Sequence, residues 1–301
     1  MKRIKTRTTD FILVVAMYLL LASCQDRTSQ QANSATEIIP NDTIYVACDS
    51  SQRIILNSLI TVYEALNPLR KVVPIFDREK KLYRYLQNDQ VDLIFRSYLL
   101  TDVEQKDIGK RKLNPKINTL WTDGLAVIAA KSFPLDSIHE EDLVAVLTHR
   151  SNAFHLIIDN SNTATYDLIF DHYAIHLQQI NAYAAGSEDA VIQSVKQHDQ
   201  YIGLIGSSYF TVKQESLPKD VKLLGLIHEG KKKAEYPFQD QLYNGVYPLA
   251  RKIYGINVGA LDASAAAFTS FILSERGQRI ILKSGLLPAK IPSRTIELIT
   301  E

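Results

Sequence analysis

A two-lobed α/β fold is predicted, each lobe a mostly parallel sheet flanked by helices and the two joined by a two-strand hinge. Three features of the sequence predict it. Short β-rich runs alternate with amphipathic helical runs from residue 43 onward, which is the pattern of βαβ units. One long apolar stretch, "INTLWTDGLAVIAA" (117–130), is broken by Asp123-Gly124 and can carry the chain from one lobe to another. A second alternating series follows, and the tail then returns to the first pattern. About 260 residues are available for this body, long for one core and comfortable for two.

Taken in order, "TIYVAC" (43–48) reads as a buried strand. "SQRIILNSLITVYEAL" is a helix, with apolar residues at 54, 55, 59, 62 and 66. "KVVPIF" (71–76) is a strand, "REKKLYRYLQN" a helix and "VDLIF" (91–95) a strand. Beyond the 117–130 run, "DSIHEEDLVAVLTH" is a helix opened by a capping-type Asp136 or Ser137. "FHLIID" is a strand, and "NTATYDLIFDHYA" and "SEDAVIQSVKQHD" are helices. "YIGLIG" (201–206) and "VKLLGLI" (221–227) are strands. After "YPLARKIYGIN" come the helices "ASAAAFTSFILS" and "ERGQRIILKSG", with Ser274 as the cap between them. This places 42–123 plus 228–301 in one lobe and 124–227 in the other, with crossings near Asp123 and Ile227. No internal repeat with a period of 20–50 residues occurs.

The N-terminus points to export. Lys2, Arg3, Lys5 and Arg7 precede the apolar run "FILVVAMYLLLAS", too short for a transmembrane helix and of the form of a signal peptide. "LASC" (21–24) has the form of the bacterial lipoprotein cleavage box, so residues 1–23 read as a signal peptide and Cys24 as the lipidated first residue. A palmitate-type anchor then tethers the protein to a membrane facing the periplasm. Residues 25–41 are polar and aperiodic, and 24–41 reads as a tether.

Residues 1–23 hold four Lys/Arg and one Asp, so without them the formal charge of +1 becomes −2. That balance gives no reason to expect nucleic acid as a partner. With Cys24 lipidated, Cys48 is the only thiol left, which excludes an intramolecular disulfide and a four-cysteine metal site. Inside a predicted strand it reads as a small buried hydrophobe.

The polar knot Ser161-Asn162-Thr163 sits between an apolar stretch and a helix. Two readings fit it. It can cap the helix, or it can present hydroxyls and backbone N–H groups to an anion at a helix N-terminus.

"WTDGLAVIAAKSFPLDSIHEEDLVAVLT", "GSEDAVIQSVKQHDQYIGLIGSSYF" (186–210), "YPLARKIYGIN" (247–257) and "FTSFILSERGQRIILKSGLLPAKIP" (268–292) together resemble the phosphate-binding proteins of ABC importers. The resemblance is to the lipoprotein branch common in Bacteroidetes-type bacteria. It spans roughly residues 43–295 and is strongest from 117 onward. It implies the type II architecture of periplasmic binding proteins, with inorganic phosphate or a related oxyanion as ligand and an ABC permease as partner. The protein is then a monomer, with no cofactor, no resident metal and no catalysis. In that family the anion sits on a Ser-Gly-Thr motif at a helix N-terminus, and Ser161, Asn162 and Thr163 align with it. Ser50, Ser51 and Asp49 of the first-strand loop, and Arg96 and Ser97 after the third strand, are the expected partners from the other lobe.

Two departures stand out. Ile157 occupies the position of the family's arginine, and Asp77 stands where the family has a serine. Arg96 is then the expected source of the missing guanidinium, whose planar fork suits phosphate. Asp49 or Asp77 is expected to accept a proton from a monohydrogen ligand and so to separate phosphate from sulfate. The alternative is the same fold binding a different solute, or serving as a surface interaction lipoprotein with the anion site lost.

Other constellations are weaker. His172 and His176 share a helix face at i, i+4, yet zinc wants a third ligand and an orienting shell. "GKKKAEY" (230–236) reads as a solvated basic loop or as a permease-docking patch. Tyr98, Tyr209, Tyr243 and Tyr247 read as packing residues with satisfied hydroxyls. No Gly-x-Ser-x-Gly, His-Glu-x-x-His or phosphate-loop pattern is present.

Overall fold

The computed structural model describes residues 42–159, 164–175, 180–213, 219–258 and 263–292. Strand β1 (Asp42–Asp49) ends in a single 3-10 turn at Ser50–Gln52 and runs into α1 (Arg53–Leu66). That helix buries Ile55, Leu56, Leu59, Ile60 and Tyr63, a stripe set by the 3.6-residue period. Next come β2 (Arg70–Asp77), α2 (Glu79–Gln87) and β3 (Leu93–Arg96). The alternation read from the sequence passes over α3 (Asp102–Lys110). Its start was legible, because Thr101 and Glu104 form a reciprocal capping box.

The run broken by Asp123-Gly124 is one continuous strand, β4 (Lys116–Ala130). The helix expected over 136–149 is shorter. Ser137–His139 is strand β5, and α4 covers Glu140–Leu147 with no side-chain cap from His139. Neither Asp136 nor Ser137 caps it, because that backbone is drawn into a sheet. Glu140, Glu141 and Asp142 occupy the first turn, where the helix dipole favours them. Then follow β6 (His155–Ile158), α5 (Ala164–Tyr173), β7 (Tyr183–Ala184) and α6 (Glu188–Gln197), the last capped by Ser187. β8 (Tyr201–Gly206) leads into α7 (Ser207–Lys213). The remainder is β9 (Val221–Ile227), β10 (Ala234–Glu235), α8 (Gln239–Tyr243), β11 (Ala250–Asn257), α9 (Ala263–Leu273), α10 (Glu275–Lys283) and β12 (Leu287–Pro288).

Among the described residues the strands follow the order β2-β1-β3-β11-β4-β8-β6-β7, with β12 and β9 also on β4 and β5 and β10 on β9. The arrangement is parallel at both ends and antiparallel in the middle. β1 is parallel to β2 and β3, and β6 is parallel to β7 and β8. β4 is antiparallel to β11 up to Gly124 and to β8 from Leu125 onward. β4 thus changes partners at the Asp123-Gly124 break, and two wings of sheet share one strand. β5 pairs with β9, a contact between residues far apart in sequence that no local pattern announces.

Each wing has apolar cores on both faces, as helices on two sides of a sheet require. Leu56, Leu59, Trp121, Phe268 and Ile281 belong to one cluster of the first wing, and Leu82, Ile94 and Ile108 to another. In the second wing Leu143, Leu156, Ile169 and Leu224 pack on one side, and Ile128, Ile157, Val191 and Ile205 on the other. Cys48 is buried in the first wing, as its place in a strand led one to expect.

Ser274 caps α10 as expected, accepting the Gly277 N–H at 3.3 Å. A Cβ at Gly277 would stand 2.3 Å from the Phe271 carbonyl oxygen and 2.4 Å from that of Ile272. Backbone cannot yield like a flexible side chain. Gly277→Ala is expected to lower the unfolding free energy by about 3 kcal/mol, read as a shift in the urea midpoint at unchanged slope.

Candidate functional site

The strand ends meet where β4 changes partners, and polar side chains are buried there. Asp123 of β4 is fully buried, and both its oxygens are satisfied. Oδ2 accepts from Gln52 Nε2 at 2.7 Å and from Arg251 Nη2 at 3.1 Å. Oδ1 accepts from the Ser207 hydroxyl at 2.9 Å and from the Gly124 N–H at 2.8 Å. Gln52 is oriented in turn by Trp121, whose Nε1–H donates to Gln52 Oε1 at 3.0 Å. Residues from β1's turn, β4, α7 and β11 are therefore tied into one buried network, the kind in which every member is needed to satisfy the others.

Arg251 is the cation of this network. Its Nη2 also donates to the Ser51 hydroxyl at 2.8 Å, while Nε and Nη1 are buried without a hydrogen-bond partner among the described residues. Burial works against its charge, but Asp123, Glu79 and Asp49 outweigh that and keep it protonated. Two more buried hydroxyls, on Ser208 and Thr165, have no partner among the described residues.

Carboxyls surround this guanidinium. Asp49 accepts from the Ser51 N–H at 2.9 Å and from the Ala164 N–H, the first amide of α5, at 3.0 Å. Burial pushes its carboxyl up from the ordinary value, with Arg251 pulling the other way. Glu79, the first residue of α2, is likewise raised by burial. Glu188, the first residue of α6, accepts the Gly206 N–H at 2.9 Å, and burial, with Asp159 and Asp123 nearby, pushes it to about 8.

The expected residues fall into three groups. Ser161, Asn162 and Thr163 lie outside the described residues, although α5 directly after them faces Asp49. Asp49 and Ser51 come together with Arg251, and Ser50 is half-buried at the head of the same turn. Asp77, Arg96 and Ser97 are engaged within the protein. Asp77 takes the Arg78 N–H at 2.7 Å, the Tyr85 hydroxyl at 2.9 Å and Lys81 at 3.2 Å. Burial works to raise its carboxyl, and these donors together hold it below the ordinary value. Arg96 forms a two-pronged pair with Glu104 at 2.9 and 2.6 Å, donates to the Leu99 carbonyl and stacks over Tyr98. Ser97 bonds to Glu79.

Ile157 is buried in the second wing's apolar core. The guanidinium among the strand ends is instead that of Arg251, in the middle of "YPLARKIYGIN". Its signal in the sequence was a basic pair, Arg251-Lys252, opening a strand whose period of two turns the arginine inward and the lysine outward.

Away from this junction, His172 lies 3.5 Å from Glu140, which accepts the Tyr173 hydroxyl at 3.0 Å and has His228 against its other oxygen. His176 lies outside the described residues. Among the described residues no group of three or more His, Cys, Asp or Glu side chains is placed to hold a metal ion, and no helix is long and apolar enough to cross a membrane.

Two wings of parallel strands bridged by a shared antiparallel strand, with polar groups gathered on the strand ends, define a binding protein of the α/β class. Residues 28–276 match the family model of the PBP superfamily domain, and the chain belongs to that family. It is 22% identical over 204 residues to the phosphate-binding protein PstS of Staphylococcus aureus strain USA300, covering 62% of this chain and 61% of that one. Among solved structures, an ABC-type phosphate transport receptor from Vibrio cholerae superposes with a TM-score of 0.65 at 18% identity, covering 81% of this chain and 99% of that one. PstS from Borrelia burgdorferi gives 0.57 at 20% identity, covering 83% and 100%. At such identities the structural likeness speaks for the fold.

Proposed function

We propose that this protein is an extracytoplasmic solute-binding protein that captures phosphate, or an oxyanion of the same geometry, and delivers it to an ABC permease. Arg251 carries the proposal: a buried guanidinium at the junction of the wings whose Nε and Nη1 have no hydrogen-bond partner among the described residues. The start of α5 beside it supports the reading, since Asp49 already takes negative charge to its first amide. Ser161, Asn162 and Thr163 are the proposed cradle, with Ser50, Ser51 and Arg251 opposite. Cys24 is the proposed lipid attachment, which leaves the body outside the cytoplasm on a tether. The lobes are residues 42–123 with 228–301, and 124–227. Closure about Asp123 and Ile227 holds the anion, and no bond is made or broken.

Calorimetric titration of the lipid-free body with phosphate and sulfate tests this. Phosphate at a hundredfold excess over its dissociation constant is expected to stabilise the fold by about 2.7 kcal/mol, with sulfate weaker. No heat and no thermal shift at millimolar phosphate removes the proposal. Binding of a different solute is the second reading, and Ile157 in place of a charged donor favours it.

A further inference from the structure

Ser97, expected with Arg96 as a partner of the anion after the third strand, has two donors, and both are occupied. Its N–H donates to Glu79 Oε1, and its hydroxyl donates to Glu79 Oε2 at 2.9 Å. Glu79 is 2% exposed, so its carboxylate turns inward to the strand ends instead of outward beside the helix terminus. The titratable groups that act on it electrostatically are Cys48 and Asp49 from β1, Arg251 from β11 and Tyr98 beyond β3, whose hydroxyl donates to the Glu79 carbonyl at 3.3 Å. Arg251 is the cation of that set, and its buried Nε and Nη1 have no partner among the described residues. A planar carboxylate held by a backbone N–H and a hydroxyl, near a guanidinium, has the donors that one edge of an oxyanion would use.

The geometry points to Glu79 as an internal stand-in for the bound anion, so that an oxyanion reaches Ser97 only by exchange with the Glu79 carboxylate. This rests on the oxyanion site proposed above and names the residue that sets its affinity and selectivity. An incoming anion beside an ionised Glu79 and Asp49 faces like charge in a buried setting. The exchange therefore takes up one proton onto Glu79, drawn from buffer or from the ligand's own hydroxyl. The resulting neutral acid donates to the ligand oxygen that it faces. Ligands that bring a proton are favoured, and sulfate, which brings none at neutral pH, is disfavoured increasingly as pH rises.

The test compares the wild-type chain with Glu79→Gln by calorimetry, each checked for a cooperative melt. Glu79→Gln is expected to bind phosphate about tenfold more tightly at neutral pH, to gain more for sulfate, and to lose the proton uptake. Wild type alone supplies a second readout. At about pH 8, binding enthalpies for sulfate, which brings no proton of its own, in buffers of different ionisation enthalpy should report one proton taken up per anion, whereas the phosphate dianion supplies that proton from its own hydroxyl. If wild type binds phosphate and Glu79→Gln binds it equally or less tightly with the same proton count, the stand-in role is wrong and the oxyanion site remains. If neither protein binds phosphate or sulfate at any pH, the oxyanion site itself is wrong and the stand-in role falls with it.

Discussion

Arg251→Ala is expected to lower the unfolding free energy by about 3–5 kcal/mol and to abolish oxyanion binding. The side chain is buried, and its Nη2 joins Ser51 of the first wing's turn to Asp123 of the shared strand. Removing it leaves Asp123 with its remaining donors, and leaves Asp49 and Glu79 without the positive charge that lowers their carboxyl pKa values. Buried carboxylates without a counter-charge are the costly state, more than the loss of any one hydrogen bond. Arg251→Lys keeps the charge but not the planar fork, so it should recover part of the stability and little of the binding. Urea denaturation of both variants, with phosphate titrations alongside, measures the two effects. An alanine variant as stable as wild type would show that Gln52, Ser207 and the Gly124 N–H suffice to hold the network around Asp123.

The second large effect is on pH. Glu188 is pushed to about 8 by burial, from an ordinary value of 4.5. A carboxyl raised in the folded state holds more protons folded than unfolded across the interval between those values. Stability therefore falls as pH rises through it. Asp49 and Glu79 shift in the same direction, so they add to the slope. Asp77 and Glu104 shift the other way: burial raises them, but hydrogen bonds, with Lys81 and Arg96, hold them lower. Their contribution is present above the ordinary carboxylate range and is lost only in stronger acid. The fold should thus be most stable near about pH 5 and weaker by at least about 2 kcal/mol near pH 8.5. Glu188→Gln should flatten that slope, because an amide oxygen can still accept the Gly206 N–H. An unchanged slope in the variant would assign the pH dependence to other groups. Denaturant midpoints across the range supply the measurement.

Much of the architecture was legible because it is written locally. "TIYVAC", "YIGLIG" and "VKLLGLI" are strands by their apolar, β-branched runs, and all three appear as β1, β8 and β9. The short β5 was hidden because nothing within residues 136–149 distinguishes it from a helix start. Its extended backbone comes from pairing with β9, more than eighty residues away. The antiparallel centre was hidden for the same reason. At the site, Asp49 and Ser51 could be found from their place after the first strand. The two arginines could not be sorted. Arg96 and Arg251 both sit in buried strands, and what separates them is that Glu104 takes both terminal nitrogens of the first, while Nη1 of the second has no partner among the described residues. Those partners lie outside any local window. Glu79 in a first helical turn looks like ordinary dipole complement until its inward rotamer is seen.

The continuity of β4 has a bearing on how the chain assembles. Its second half meets β8 and β9, which follow within about a hundred residues, whereas its first half waits for β11 and β12 near the far end of the chain. A polypeptide emerging N-terminus first can therefore complete the later wing while the earlier one still has an open edge. That edge, along β3 and the front of β4, is the surface on which unfinished molecules would pair with each other, and the place where a chaperone would need to hold them.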